Sequence, residues 1–385
     1  MATRYTPAAM LDRLVSFPTI SHLSNLDLIG FVEDYLAEHG IASERVPDAT
    51  GEKAALFATI GPKTDGGIVL SAHTDVVPVE GQNWSSDPFK LREAGGKLYG
   101  RGTADMKGFA ATVLAHVPEM VAADLKKPIH IALSYDEEVG CFGAPPMIER
   151  MLAEGPKPSA VIVGEPTNMK VVTGHKGVIV LNTRIHGHPV HSSQLDRGVS
   201  AISVAARLIS WMDARTSENK ANAAPDCPFN PPYTTLHCGT IRGGSAHNIT
   251  AAECEFVTDI RLLPQETGAG WLARYLDFIR TEVEPDMQAI FENCRIEVTQ
   301  TADVPGLAPE TDGPAEALAR NLTGDNGTHV VVYATEGGQF QERGLSTIVC
   351  GPGSIDQGHQ VDEFIEISEI EKCSAFLDRL CSKLS

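Results

Sequence analysis

The sequence predicts an α/β protein interrupted by a smaller inserted module, and three observations carry that expectation. From about residue 1 to 177, strand-like apolar runs (Gly67–Ala72, Ile129–Ser134, Ala160–Gly164) alternate with helix-like stretches (Leu26–Glu38, Met106–Val121). That alternation builds a sheet covered by helices. Between 178 and 291 the pattern changes to strand Val178–Ile185, helix Val199–Asp213, strands Thr234–Ile241 and Glu253–Leu263 and helix Gly270–Glu282, with a last strand near Arg295–Thr299. A β-α-β-β-α-β order of this kind predicts a small ferredoxin-like module. From 292 onward the first pattern resumes with helix Pro314–Leu322, strand Ser346–Cys350 and helix Ser368–Leu384. The simplest topology is one α/β domain, residues 1–177 and 292–385, carrying residues 178–291 as an insert.

Length and composition agree with this division. The 385 residues suit two or three domains at roughly 100–200 residues each. With 42% hydrophobic and 21% charged residues, 35 Gly and 24 Pro, the chain is neither collagen, coiled coil nor bulk disorder. Its 31 basic and 50 acidic residues give a net charge of −19. Such a chain repels phosphate backbones and anionic lipid, which disfavours nucleic acid and membrane surfaces and leaves room for a cationic or zwitterionic small molecule; plain solubility accounts for the acidity equally. Arg4, Asp12 and Arg13 interrupt the first fifteen residues, so they do not read as a signal peptide. No run approaches ~18 apolar residues, so no membrane span is expected. The eight cysteines (141, 227, 238, 254, 294, 350, 373, 381) never come closer than eight positions. Without a zinc-knuckle spacing they read as reduced core residues of a cytoplasmic protein, and Cys141 alone lies near a motif of interest.

Five stretches place polar, metal-capable residues just past an apolar run or at a helix start. In an open α/β sheet that location is the carboxyl edge, where ligands bind. In Ile68–Pro78, His73 and Asp75 stand two apart. On extended chain they share a face, which lets Asp75 hold the second ring N–H and fix the tautomer; a hydrogen-bonded histidine at a strand end fits the fragment equally. In Tyr99–Gly108, glycines at 100, 102 and 108 allow close backbone approach and Asp105 leads into an apolar helix, where it also suits a bare N-cap. Asp105 stands where the third glycine of G-x-G-x-x-G belongs, which argues against a nucleotide-binding oxidoreductase.

In Ile129–Gly140, Asp136, Glu137 and Glu138 follow a buried-type strand. Three adjacent carboxylates there are costly unless a cation neutralises them; a solvated acidic loop is the alternative. Glu165 ends the run Ala160–Gly164, and His359 lies in a glycine-rich stretch after Ser346–Cys350. Taken together, His73, Asp105, Glu138, Glu165 and His359 form a nitrogen–oxygen set suited to a pair of zinc or similar divalent ions. If one carboxylate bridges, each ion receives one histidine and one private carboxylate. Glu137, beside a ligand, is then free to act as a base, and the whole is equipment for hydrolysing an amide.

These stretches resemble, in order and spacing over essentially the whole chain, the aminoacylase/carboxypeptidase-type dinuclear zinc hydrolases. The resemblance implies a zinc-peptidase-like catalytic domain with a mixed central sheet, interrupted by a lid and dimerisation domain of ferredoxin-like fold. It implies two divalent ions, zinc or cobalt, with His73 and Glu165 on one, Glu138 and His359 on the other, and Asp105 bridging. Asp75 would orient His73, Glu137 would be the general acid and base, and the Asp105–Met106 peptide would be cis. In the insert, Gly187–Ser193 resembles the family's lid motif, which points to His191, rather than His186 or His188, as a group that binds the tetrahedral oxyanion, often across a dimer interface; three histidines in six residues also read as a polar strand end. Asn248 and Arg261 resemble lid groups that contact substrate, Arg261 through the α-carboxylate; Arg261 also reads as a surface charge. The segments Cys350–Phe364 and Tyr333–Glu336 are most similar to the family members that deacetylate acylated ornithine. That makes Glu336 a candidate for the substrate ammonium, with scaffold as its other reading. Alternatives within the family are a desuccinylase of succinyl-diaminopimelate or a hydrolase of broad acylamino acids; a non-catalytic metal-binding protein on the same fold is the more distant one.

Overall fold

The computed structural model describes residues 2–385. At its centre four strands run parallel side by side: Ile129–Ser134, Gly67–His73, Pro158–Pro166 and Thr347–Gly351. Nearly every residue in them is buried, as continuous apolar runs covered on both faces require. Antiparallel neighbours flank the four. Ala54–Ile60 pairs with Ile129–Ser134 and then with Ser43–Pro47, while Val172–His175 lies against Thr347–Gly351 and His329–Val331 closes the eight-stranded order. The sheet is therefore mixed, as the family resemblance implies.

Helices cover it through apolar faces. Pro7–Val15 begins at Thr6, whose hydroxyl accepts the Ala9 N–H at 3.2 Å, and it buries Met10, Leu11, Leu14 and Val15. The C-terminal helix Ile367–Leu384 buries Ile370, Cys373, Phe376, Leu377, Leu380 and Cys381 at helical spacing. The single helix expected over Met106–Val121 is two, Lys107–Ala115 and Val117–Ala122. Pro118 is the cause, since it has no N–H for the Leu114 carbonyl.

The chain divides into two compact units: Met1–Gly174, Pro309–His329 and Thr335–Ser385 form one, and His175–Ala308 with Val330–Ala334 the other. The second unit thus extends past the 178–291 expected for the insert. Its last strand, Arg295–Val304, pairs antiparallel with its first, Gly177–His186, from Arg295 opposite His186 to Val304 opposite Val178. A boundary at 292 would cut that strand from its partner. The sheet order is Thr235–Gly243, Glu253–Leu262, Gly177–His186, Arg295–Val304, with every pairing antiparallel, which is the ferredoxin-like arrangement. Helices Ala201–Ala221 and Gly268–Phe278 contribute Leu208, Met212, Trp271 and Tyr275 to its core. The eight cysteines are free thiols. Among the described residues no helix is long and apolar enough to cross a membrane.

Candidate active site

Each of the four parallel central strands delivers a polar group at its carboxyl end. His73 ends Gly67–His73, Glu137 and Glu138 follow Ile129–Ser134, Glu165 lies at the end of Pro158–Pro166, and His359 follows Thr347–Gly351 beyond a 3-10 turn. Asp105 sits in the turn before helix Lys107–Ala115. It is not a cap: Met106 takes the N-cap position, and no side chain makes a capping bond. The Asp105–Met106 peptide is cis.

These side chains converge. His73 Nε2 lies 3.1 Å from Asp105 Oδ1 and 3.5 Å from Glu165 Oε1. His359 Nε2 lies 3.2 Å from Asp105 Oδ2 and 2.9 Å from Glu138 Oε2. Asp105 therefore offers one oxygen to each imidazole. Gly358 leaves room beside it, since a Cβ there would stand a tight 3.0 Å from Asp105 Oδ2. Glu137 also belongs to the cluster, with a carboxylate oxygen within 4.8 Å of a ring nitrogen of His73 and a carboxylate oxygen of Glu165.

The electrostatics show an excess of negative charge in poorly solvated space. Desolvation pushes the Glu137 carboxyl up to about 8, with His73 opposing and Glu138, Asp105 and Asp75 adding. Burial and the charge of Asp105 push Glu138 up to about 7 and Glu165 well above its ordinary value. For Asp105 burial works against ionisation, but hydrogen bonds from His359 and His73 outweigh it and hold the carboxyl low. Those same contacts with Asp105 and Glu138 raise His359 to about 10. Glu138 Oε1 and Glu165 Oε1 are buried without any hydrogen-bond partner, a costly condition. Two imidazoles and three carboxylates gathered together, two of them with an unpartnered buried oxygen, fit divalent cations.

Asp75 acts differently from expectation. His73 Nδ1 bonds the Asp75 backbone carbonyl at 2.9 Å, whereas the nearest carboxylate oxygen is 3.6 Å away. The carbonyl fixes the tautomer that presents Nε2 to the cavity. The carboxylate instead accepts the backbone N–H groups of Glu137 (3.1 Å) and Glu138 (3.3 Å) and the Ser21 hydroxyl (2.7 Å). Asp136 is neutralised by Lys53 at 2.5 Å, which separates it in role from its two neighbours. Cys141 Sγ lies 3.4 Å from Glu137 Oε1; burial pushes the thiol far up, so it stays protonated and donates.

A model of peptidase family M20/M25/M40 matches residues 69–383. The chain belongs to that family. It is therefore a metal-dependent hydrolase, and the match spans His73, Asp105, Glu138, Glu165 and His359. Acetylornithine deacetylase of Pasteurella multocida is 34% identical over 381 residues, covering 96% of each chain. The corresponding protein of Yersinia pseudotuberculosis is 37% identical over 382 residues, covering 95% of this chain and 94% of its own. Among solved structures, the M20 metallo-carboxypeptidase Sso-CP2 of Sulfolobus solfataricus superposes with a TM-score of 0.78 at 16% identity, covering 99% of both chains. The YXEP protein of Bacillus subtilis, a dinuclear metal-binding M20 peptidase, gives 0.64 at 16% identity, covering 98% of this chain and 99% of that one. These likenesses establish the M20 fold.

In the ferredoxin-like unit, His191 is exposed and its Nδ1 accepts the Ser193 N–H at 3.2 Å, with the Ser193 hydroxyl at 2.9 Å. Nε2 is the ring nitrogen left for a ligand. Its two neighbours are engaged: His186 lies 3.4 Å from Glu297, and His188 stacks on Phe291 at 3.9 Å. Asn248 lies next to His191, its carbonyl accepting the Ser192 N–H at 2.9 Å. Arg261 is bonded through Nε and Nη2 to both oxygens of Asp259, each at 2.8 Å.

Glu336 requires correction as an ammonium reader. It is 1% exposed, and its two oxygens accept the Ser71 hydroxyl at 2.5 Å and the Ser134 hydroxyl at 2.6 Å. A carboxylate so enclosed ties two central strands together and has no face for a substrate. Three further residues went unnoticed in the sequence: Arg101, Glu363 and Gln82. Arg101 stands between two glycines and Glu363 four residues after His359, so adjacency to ligand motifs was the available signal.

Proposed function

We propose that this chain converts N2-acetyl-L-ornithine and water to L-ornithine and acetate with two divalent ions, zinc or cobalt. The observation that carries the reading is the approach of His73 Nε2 and His359 Nε2 to the two oxygens of one carboxylate, Asp105, at 3.1 and 3.2 Å. A bridging carboxylate between two imidazoles, each with its own second carboxylate in Glu165 or Glu138, is the donor arithmetic of paired ions. Near full-length likeness to acetylornithine deacetylases supports the acyl group and the amino acid.

When bound, such ions supply Lewis-acid polarisation of a carbonyl and a lowered pKa for water. Glu137 moves the proton. Its carboxylate oxygen not shared with Cys141 takes a proton from the attacking water and returns it to the leaving amine nitrogen as the C–N bond breaks. The positive charge of bound ions would bring its carboxyl back down and leave it ionised as a base. Asp75 keeps Glu137 and Glu138 in place through their backbone N–H groups. His191 is assigned to the oxyanion through Nε2, and Asn248 and Arg261 to the substrate, Arg261 exchanging Asp259 for the α-carboxylate. The protein is further proposed to work in the cytoplasm as a homodimer joined through the ferredoxin-like unit.

The test is acetate release from N2-acetyl-L-ornithine by ion-replete and chelator-treated protein, beside a panel of N-succinyl-diaminopimelate and N-acetylmethionine. The expected result is chelator-sensitive release with a clear preference for acetylornithine. Preference for another member of the panel reassigns the substrate, and activity indifferent to chelation overturns the ion-dependent reading.

A further inference from the structure

Asp105 and His359 both lie on turns rather than strands, and His359 has a left-handed backbone, φ 61°, which non-glycine residues adopt only when their surroundings hold them there. A single network built on a buried ion pair supplies that hold. Arg101 and Glu363, each 1% exposed, pair at 2.7 Å. Glu363 Oε1 accepts the backbone N–H of Ala104 at 2.9 Å and of Asp105 itself at 3.1 Å. Arg101 Nη1 also donates to the Gln360 carbonyl at 3.3 Å, and Nη2 to Gln82 Oε1 at 2.7 Å. Gln82 Nε2 then donates to the His359 carbonyl at 3.1 Å. Trp84 donates its indole N–H to Gln82 at 2.9 Å and lies under the guanidinium at 5.0 Å.

The network thus ends at one side on the Asp105 backbone and at the other on the His359 backbone. A buried ion pair is a poor way to stabilise a fold, since apolar side chains of like volume often serve as well or better. Holding two loops in register is a use that apolar packing does not match. We infer that Arg101, Glu363 and Gln82 are positioning residues that set the separation of Asp105 and His359. They thereby govern retention of the ion on the His359–Glu138 side more than that on the His73–Glu165 side, where the sheet itself fixes His73 and Glu165. The inference rests on the two-ion reading above.

The experiment is a zinc titration of the full-length apoprotein against a chromophoric chelator, with the melting temperature of each apoprotein measured alongside. Wild type is expected to hold two zinc ions. Glu363→Gln and Arg101→Met are expected to keep one at wild-type affinity and to weaken the second by roughly 10–100-fold. Gln82→Ala, half-buried and uncharged, is expected to weaken the second several-fold with an unchanged melting temperature, so it decides the matter if the charge variants do not fold. Wild-type affinity for both ions in Gln82→Ala and the folded charge variants, or equal weakening of both ions, overturns the inference. A wild type that binds fewer than two ions is a different failure, because it removes the two-ion reading and this inference with it.

Discussion

His73 and His359 face one carboxylate from opposite sides, yet the first side chain is 1% exposed and the second 52%. The His73 half is part of the sheet: its ring leaves a strand paired on both sides, through His73 itself against Ile129–Ser134 and as far as Ser71 against Pro158–Pro166, and Glu165 lies at the end of that adjacent strand. The His359 half rests on turns and takes its geometry from side chains, Glu363 and Gln82 above all. Rigidity comes without further cost where a ligand ends a buried strand, and it must be supplied by dedicated hydrogen bonds where a ligand stands on a loop. His130 extends the comparison. It lies opposite Val69 on the neighbouring strand, as deeply buried as His73, but burial pushes it down to about 4. His73 goes the other way because the carboxylates of Glu165, Asp105 and Asp75 outweigh its burial. Burial alone does not fix a histidine's charge in this sheet; the carboxylates do.

The largest expected effect belongs to neither half. Glu137→Gln should lower kcat by roughly 10²–10⁴-fold while metal analysis still finds both ions; a variant with near-normal turnover refutes the proton-transfer role. Next, the halves should respond unequally to loss of their histidines. His73→Ala removes a buried imidazole from beside both Asp105 and Glu165, leaving Asp105 with His359 alone, and should release both ions and lower the melting temperature of the apoprotein. His359→Ala should release one ion and leave the melting temperature of the apoprotein close to wild type. Equal responses in metal content and thermal unfolding would erase the distinction drawn here.

The smallest effect concerns His130. Its folded pKa is below the unfolded value, so the unfolded chain binds the proton first as pH falls. The His130 contribution is intact above about 6.5 and declines toward pH 4, by at most ~1.4 kcal/mol per pH unit. Urea unfolding at pH 6.5 and 5 should show a shallower loss in His130→Asn than in wild type, and parallel losses would rule out His130 as the source.

Much of the catalytic half was legible because every ligand except Asp105 follows an apolar run, and the end of such a run in a parallel sheet is the edge where ligands gather. The ferredoxin-like order was legible too, from strand and helix periodicity. What escaped was pairing between distant segments. Arg101 and Glu363 are 262 positions apart and share no periodicity, and Glu336 meets Ser71 across 265 positions, so its burial left no local sign. The extent of the last insert strand was missed for the same reason, since its partner is the first. Arg261 was readable: Asp259 lies two residues earlier on one strand face, and that spacing alone announces the pair.

The central claim is that His73, Asp105, Glu138, Glu165 and His359 hold two ions about one carboxylate. Anomalous diffraction at the zinc edge from crystals grown with zinc tests it directly. Two peaks roughly 3.5–4 Å apart, one beside His73 and Glu165, the other beside His359 and Glu138, with Asp105 between them, are the predicted result. A single peak, or peaks away from Asp105, would contradict it.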